Sequence, residues 1–189
     1  MTDSTKQKTD LARLFSADLG VDLGSAFVRV ISRRTRIIHT EPSVVARDRR
    51  TGEIRAIGRE AEAMIARLPE AIAEVRPVRE GAIADFDATY ALLRGIVRRV
   101  KNRVAVRRPR MVIAVPCELT QVERRALIEV AKAAGAREVY LLASPMAAAL
   151  GAAVPAAQRG GKLVIDIGAG TTDVAIVTLS GARAPRPRA

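Results

Sequence analysis

A hairpin pattern that occurs twice constrains this chain more than any other feature. "VDLGSAFVRVI" and "IDIGAGTTDVAIV" share an apolar residue, Asp, an apolar residue, Gly and a small residue, then a second apolar run. Each reads as strand, Gly-containing turn, strand. Between them the hydrophobic period switches repeatedly between strand and helix spacing. A sequence that repeats its opening hairpin after one α/β unit predicts a duplicated fold whose second copy has just begun.

The intervening segments support that reading. A third strand is expected at "RIIHTEP", and "EPSVVARDRRTGEIRAIGREA" predicts a hairpin turning at Thr51-Gly52. "REAEAMIARLPEAI" has helical spacing and is stopped by Pro69, while "ATYALLRGIVRRV" puts Tyr90, Leu93, Ile96, Val97 and Val100 on one helical face. "RPRMVIAVP" reads as a strand buried on both faces. "TQVERRALIEVAKAAG" opens with a capping box, Thr120 as N-cap and Glu123 three residues on, and closes at Gly135. "REVYLLA" reads as another buried strand, "PMAAALGAA" as a helix and "KLVID" as a further strand. The alternation implies an α/β domain with right-handed crossovers.

Composition bounds the function classes. The 189 residues are 49% hydrophobic, which suits a soluble globular protein, and their net charge is +12. The arginines are scattered from Arg13 to Arg188, a pattern that reads as solvated surface. At 3% aromatics there is little to stack on bases, so a nucleic-acid role is disfavoured and anionic lipid is the better charged partner. The single Cys117 excludes an internal disulfide, fits a reducing compartment and is expected to be a buried, inert thiol. His39 has no partners for a zinc site. "MTDSTKQKTD" is polar, with no secretory signal, and residues 141–157, broken by Pro145, Gly151 and Pro155, make a poor membrane span.

The two hairpins carry the chemistry. Gly and small residues let backbone N–H groups approach an anion without a Cβ in the way. The candidate phosphate-binding residues are Gly24, Ser25, Ala26 and Phe27 in the first turn and Gly168, Ala169, Gly170, Thr171 and Thr172 in the second. Asp22 and Asp166 repel phosphate directly, so they fit such a site only with a divalent cation between them and the phosphates, held through water as Mg²⁺ prefers.

These residues support a resemblance. The chain resembles the actin-like ATPase superfamily, and within it the bacterial rod-shape-determining MreB family. "DLGSA" matches that family's first phosphate motif and "IDIGAGTTDVAIV" its second. "EPSVVA", "IRAIGREAEAMI", "RPVREGAIADFD", "TQVERRAL" and "SPMAAALGA" follow its pattern in order, from about Phe15 to Leu179. The resemblance implies an actin-like, ribonuclease H-like domain I with a mixed sheet and flanking helices. It also implies ATP with Mg²⁺, and assembly with itself or full-length relatives into filaments on the inner face of the cytoplasmic membrane that guide cell-wall synthesis. By that comparison residues 1–14 form a flexible N-terminus, with an amphipathic turn at "DLARLF" or a frayed end. Residues 15–160 form domain I with a small inserted subdomain at about 32–100, 161–179 the first hairpin of the second half, and 180–189 a disordered basic tail. Most of the second half, which supplies adenine and ribose contacts in the family, is expected to be missing, as in a truncation.

Several positions depart from the family pattern. The family's "EEPMAAA" places a water-positioning Glu before the Pro, where this chain has Ser144; a hydroxyl is a poor base, which implies impaired hydrolysis, and Ser144 is alternatively a cap for the helix starting at Pro145. Where the family has "GTANT", Phe27 and Val28 remove an amide and a hydroxyl and put apolar bulk in the phosphate path. Ala169 replaces a Gly and disfavours positive φ. Val104, Ala105 and Val106, between basic flanks, correspond to the family's membrane-contact loop. Asp85 and Asp87 read as turn or helix-capping residues. The alternative to a filament-forming ATPase is a non-catalytic paralogue that regulates or docks on full-length filaments.

Overall fold

The computed structural model describes residues 18–33, 36, 38–104, 108–154, 160–178 and 181–183. The first hairpin is β1 (Leu19–Leu23) and β2 (Phe27–Ser32), followed by β3 (Ile38–Pro42), β4 (Val45–Asp48), β5 (Ile54–Ile57), α1 (Arg59–Arg67), β6 (Ile72–Val75), β7 (Val78–Arg79), β8 (Ala82–Ile83) and α2 (Phe86–Val104). Then come β9 (Arg110–Val115), α3 (Gln121–Ala133), β10 (Glu138–Ala143), α4 (Ser144–Gly151), β11 (Lys162–Ile167), β12 (Thr172–Thr178) and β13 (Gly181–Arg183).

The main sheet has the order β10-β9-β1-β2-β3. β1 pairs parallel with β9, and β9 parallel with β10, whereas β1–β2 and β2–β3 are antiparallel. The sheet is therefore mixed, as the resemblance implies. Parallel neighbours require a crossover, and α3 supplies the one between β9 and β10. Its capping box is present: the Thr120 side chain accepts from the Glu123 N–H, and the Glu123 carboxylate accepts from the Thr120 N–H at 2.8 Å. Gly135 follows the helix at φ 110, the left-handed closure that glycine tolerates.

Leu92, Leu93, Ile96 and Val97 of α2 pack with Leu19, Val21, Val28 and Val30 of the first hairpin and Met111 and Ile113 of β9 into the main core. α2 therefore belongs to the main core, and the small cluster of Val44, Ala46, Ala56, Ala61 and Ile72 around β4–β6 and α1 stops short of it. Two strand expectations need correcting. In β9 buried Met111, Ile113 and Val115 alternate with half-buried neighbours, so only one face is fully covered. β10 is the sheet edge and is half-buried throughout most of its length. Three residues of the expected tail, Gly181–Arg183, pair antiparallel with β12 as β13, where the Ile176 to Thr178 edge offers them ladder hydrogen bonds; the rest of 180–189 lies outside the described residues.

Charged contacts tie the pieces together. Glu41, 5% exposed, accepts from the Arg59 N–H at 3.0 Å and from Arg99 at 2.9 Å, joining β3 to α1 and α2. Asp85 accepts from the Ala88 N–H at 2.9 Å and takes both Arg47 amino groups at 2.9 and 3.1 Å, so the capping reading holds and extends to β4. The bond to Arg47 is the largest of the influences that hold the Asp85 carboxyl below its ordinary value.

β11, β12 and β13 form a separate sheet whose inner side packs Val177 on Met146 and Ala149 of α4. Its other side leaves Leu163, Ile165, Ile167, Val174 and Ile176 exposed, Ile167 by 76%. That is a contiguous apolar face of the kind that binds partners or aggregates.

Two outcomes follow from these contacts. Asp85→Ala should lower unfolding stability by about 1–2 kcal/mol in urea at neutral pH, since it removes a helix cap and an ion pair. Because the folded carboxyl is shifted down, that contribution is present above the ordinary Asp range and is lost as pH falls through the folded value. The gap between wild type and variant should therefore close in acid. The exposed face should bind 8-anilinonaphthalene-1-sulfonate, and Ile165→Lys should reduce that fluorescence without changing far-UV circular dichroism.

Candidate functional site

β1, β9 and β10 run parallel, so their C-terminal ends open on the same edge of the sheet. The turn after β1 brings Gly24 to Ala26 there, the end of β9 brings Pro116, and the end of β10 brings Ser144. All of these line one cavity of about 530 Å³. The second hairpin closes its opposite wall with Asp166, Ile167, Gly168, Ala169, Gly170 and Thr171. The two sequence-predicted turns, far apart in the chain, therefore face one another.

Their approach is close. A Cβ at Gly170 would stand 2.5 Å from the Ser25 Oγ and 3.0 Å from its Cβ, so the turns meet closely where glycine leaves room and a side chain at 170 would make Ser25 shift. Each turn is closed by its own hydrogen bond, Gly24 N–H to the Phe27 carbonyl at 3.1 Å and Gly168 N–H to the Thr171 carbonyl at 2.8 Å. Those two N–H groups are engaged within their turns, which leaves Ser25, Ala26, Ala169 and Gly170 as the turn residues between them. Ala169 has no positive φ, so the strain expected from replacing glycine there does not arise.

A third hairpin braces the junction. Glu80 and Gly81, between β7 and β8, both have positive φ, 50° and 74°, as a two-residue type I′ turn requires. A Cβ at Gly81 would lie 2.3 Å from the Pro116 ring and 3.2 Å from the Thr171 methyl, so this turn presses on the end of β9 and on the second loop. Asp173 adds a direct tie, accepting from the Cys117 N–H at 3.1 Å. The Cys117 thiol is half-buried, and burial, ahead of the nearby Asp173 charge, pushes its pKa up; this keeps it protonated and inert.

Not every expected residue joins the cavity. Thr172 lines a neighbouring cavity of about 430 Å³ with Glu80, Cys117, Glu118, Glu123 and Asp173. Val28 is fully buried in the main core, because β2 alternates exposed and buried residues; it places no bulk in the phosphate path, and Phe27 alone does. Ser144 does not cap α4. The helix already includes it, Ala143 is the N-cap with no side-chain cap hydrogen bond, and Ser144 lines the cavity instead. The side chains of Val104, Ala105 and Val106 lie outside the described residues, as do residues 1–17 and "DLARLF".

One residue escaped the sequence reading. Arg29 lies directly opposite Asp22 in the β1–β2 register, and its guanidinium donates to the Asp22 carboxylate at 2.9 Å. Its guanidinium carbon also stands 5.7 Å from the centre of the Phe27 ring. The signal was available: a two-strand register counted outward from the Gly24 turn places Asp22 and Arg29 across from each other.

The cavity, with two small-residue turns facing each other, is suited to an anion approached by backbone N–H groups. A divalent cation fits less evenly. Burial, then the negative charges of Asp173 and Asp22, raise the Asp166 carboxyl above its ordinary value, and none of these influences offsets its charge. Such a carboxylate suits a hard cation reached through water. Asp22 is already paired with Arg29. Among the described residues no group of three or more potential metal ligands occurs, and no helix is long and apolar enough to cross a membrane.

Comparison with known proteins agrees with this geometry. The family described as MreB/Mbl protein matches residues 16–184. The cell shape-determining protein MreB of Pasteurella multocida is 47% identical over 173 residues, covering 89% of this chain and 49% of that protein. The crystal structure of MreB5 of Spiroplasma citri bound to ADP superposes with a TM-score of 0.78 at 35% identity, covering 87% of this chain and 49% of that one. The MamK double helical filament shares the fold with a TM-score of 0.67 at 23% identity, covering 86% of this chain and half of that one. The chain thus spans about half the length of the curated relatives it matches. On the family match and this identity, the chain belongs to the MreB/Mbl family of actin-like proteins.

Proposed function

We propose that this chain is an MreB-like cell-shape cytoskeletal protein that binds ATP between its two hairpins. On this reading it takes part in nucleotide-dependent assembly of filaments at the inner face of the cytoplasmic membrane, where they guide cell-wall synthesis. The observation that carries the reading is the meeting of two far-separated Asp–Gly turns across one cavity of about 530 Å³. The ADP-bound relative supports it. Ser25, Ala26, Ala169, Gly170 and Thr171 would hold the phosphates, and Asp166 would hold Mg²⁺ through water. Magnesium would supply positive charge to the phosphate oxygens. Ser144, which lines the cavity where the resemblance has a Glu, can hydrogen-bond a water but is a weak base. Loss of such a group weakens catalysis by about 10²- to 10⁴-fold, so this chain binds nucleotide and turns it over slowly.

A second reading, a non-catalytic relative that docks on full-length filaments, is favoured by Ser144 together with the exposed apolar face of β11 and β12. The two readings separate on ATP-driven pelleting of the chain alone against pelleting only beside a full-length MreB.

Titration calorimetry tests the binding site. ATP with Mg²⁺ should bind with a Kd on the order of micromolar. Gly170→Val should weaken that binding by about tenfold or more, because a branched side chain at 170 crowds Ser25 where the turns meet. Absence of ATP binding by the wild-type chain overturns the nucleotide reading; unchanged affinity in the variant overturns the placement of the phosphates.

A further inference from the structure

Two aspartates line a cavity that the preceding reading assigns to an anion, and a carboxylate beside phosphate is stable only with a cation close by. In this chain a cation is built in. Arg29 occupies the strand position facing Asp22, its guanidinium bonds the Asp22 carboxylate at 2.9 Å, and both side chains line the same cavity as the two turns. The pair is about half exposed, 53% for Arg29 and 50% for Asp22, so the guanidinium is reachable from the cavity and is not locked in the core. Phe27, the residue that departs from the family loop, sits beneath it with the ring centre 5.7 Å from the guanidinium carbon. An aromatic face at that distance favours a cation and limits where it can swing.

The donor count decides what the pair can do. A guanidinium has five N–H donors in a planar fork. One amino group serves Asp22. The others can accommodate phosphate oxygens, and paired contacts of this kind are the strong, charge-assisted class. The same contact places a positive charge against Asp22, which weakens the repulsion of an anion and engages a carboxylate oxygen that a metal would use. The two effects act together: Arg29 supplies the charge that a divalent ion would bring and occupies one of its two ligands.

We propose that Arg29, seated on Phe27 and paired with Asp22, is the resident cation of this cleft and lets it hold the polyphosphate of a nucleotide without a divalent metal. This rests on the nucleotide reading and adds to it a specificity: metal-free ATP is a ligand in its own right. It also gives Phe27 a part in the site, as the platform that keeps the guanidinium over the first turn.

The test is titration of the full 189-residue chain with ATP at low salt, in excess Mg²⁺ and in excess EDTA. Wild type should bind within about threefold of the same affinity in both. Arg29→Leu should lose about tenfold or more in EDTA, the scale of one charge-assisted hydrogen bond. It should recover when Mg²⁺ is added, because the released Asp22 then joins Asp166 as a metal ligand; that recovery also shows that the variant is folded. Arg29→Lys, which keeps the charge, should retain most of the metal-free binding. Wild-type binding that appears only with Mg²⁺ overturns the proposal and leaves the nucleotide reading standing. Arg29→Leu binding as wild type in EDTA overturns it too, as does loss of binding by Arg29→Lys to the level of Arg29→Leu. Failure of wild type to bind in either condition removes the nucleotide reading and this proposal with it.

Discussion

The parallel pairing of β1, β9 and β10 is the constraint on which the site depends. Parallel strands put their C-terminal ends on one edge of the sheet, and ligands of open α/β sheets collect at that edge. Here it gathers the Gly24 turn, Pro116 and Ser144 without any of them being near another in sequence. The hydrogen bonds that hold this arrangement are central ones, since β1 and β9 both have neighbours on two sides. Changes at the edge strands β3 and β10 should therefore disturb the cavity less than changes in β1 or β9.

Specific contacts hold the second hairpin to this edge. Gly170 permits the turns to touch, Gly81 permits a third turn to press on Pro116 and Thr171, and Asp173 holds the Cys117 N–H. Behind it Val177 packs on Met146 and Ala149 of α4, a core far smaller than that around α2. The cavity wall formed by residues 166–171 thus combines close approaches at Gly170 and Gly81 with the Asp173 hydrogen bond and the packing on α4.

Much of this was legible in the sequence because it depends on local rules. The repeated Asp–Gly hairpins, the Thr120–Glu123 capping box, the Thr51-Gly52 turn and the α2 face at Leu93, Ile96, Val97 and Val100 all follow from period, capping and turn chemistry. What was misread depends on neighbours that period cannot supply. β9 and β10 are equally apolar as strings, yet one is central and the other an edge, and only pairing decides that. Val28 looked like part of the phosphate loop because it follows it in sequence; strand alternation turns it into the core. Ser144 looked like a cap because Pro145 follows it, but the helix begins one residue earlier and turns the hydroxyl to the cavity lining. Residues 181–183 looked like tail because of their composition, whereas an open edge on β12 pairs with them.

The electrostatics of the cleft run against the charge of the whole chain. The protein is strongly basic, yet Asp22, Asp166 and Asp173 are close enough to influence one another at the mouth of the second hairpin, and Glu80, Glu118 and Glu123 line the adjoining cavity with Asp173. The scattered arginines are the long-range attraction for an anion, and they are screened within about 10 Å at ordinary salt. At the cavity itself the balance is set by individual pairs. Arg29 pairs with Asp22, and the Asp166 carboxyl is raised by burial and then by the charges of Asp173 and Asp22. Phe27 and Arg29 lie on the same face of β2, and on the nucleotide reading both act on the charge that a phosphate would meet. Replacing an amide by an aromatic ring removes a donor, but the ring supports a guanidinium that brings a full charge. On the nucleotide reading, Phe27 and Arg29 together would make the first turn a reworked anion site.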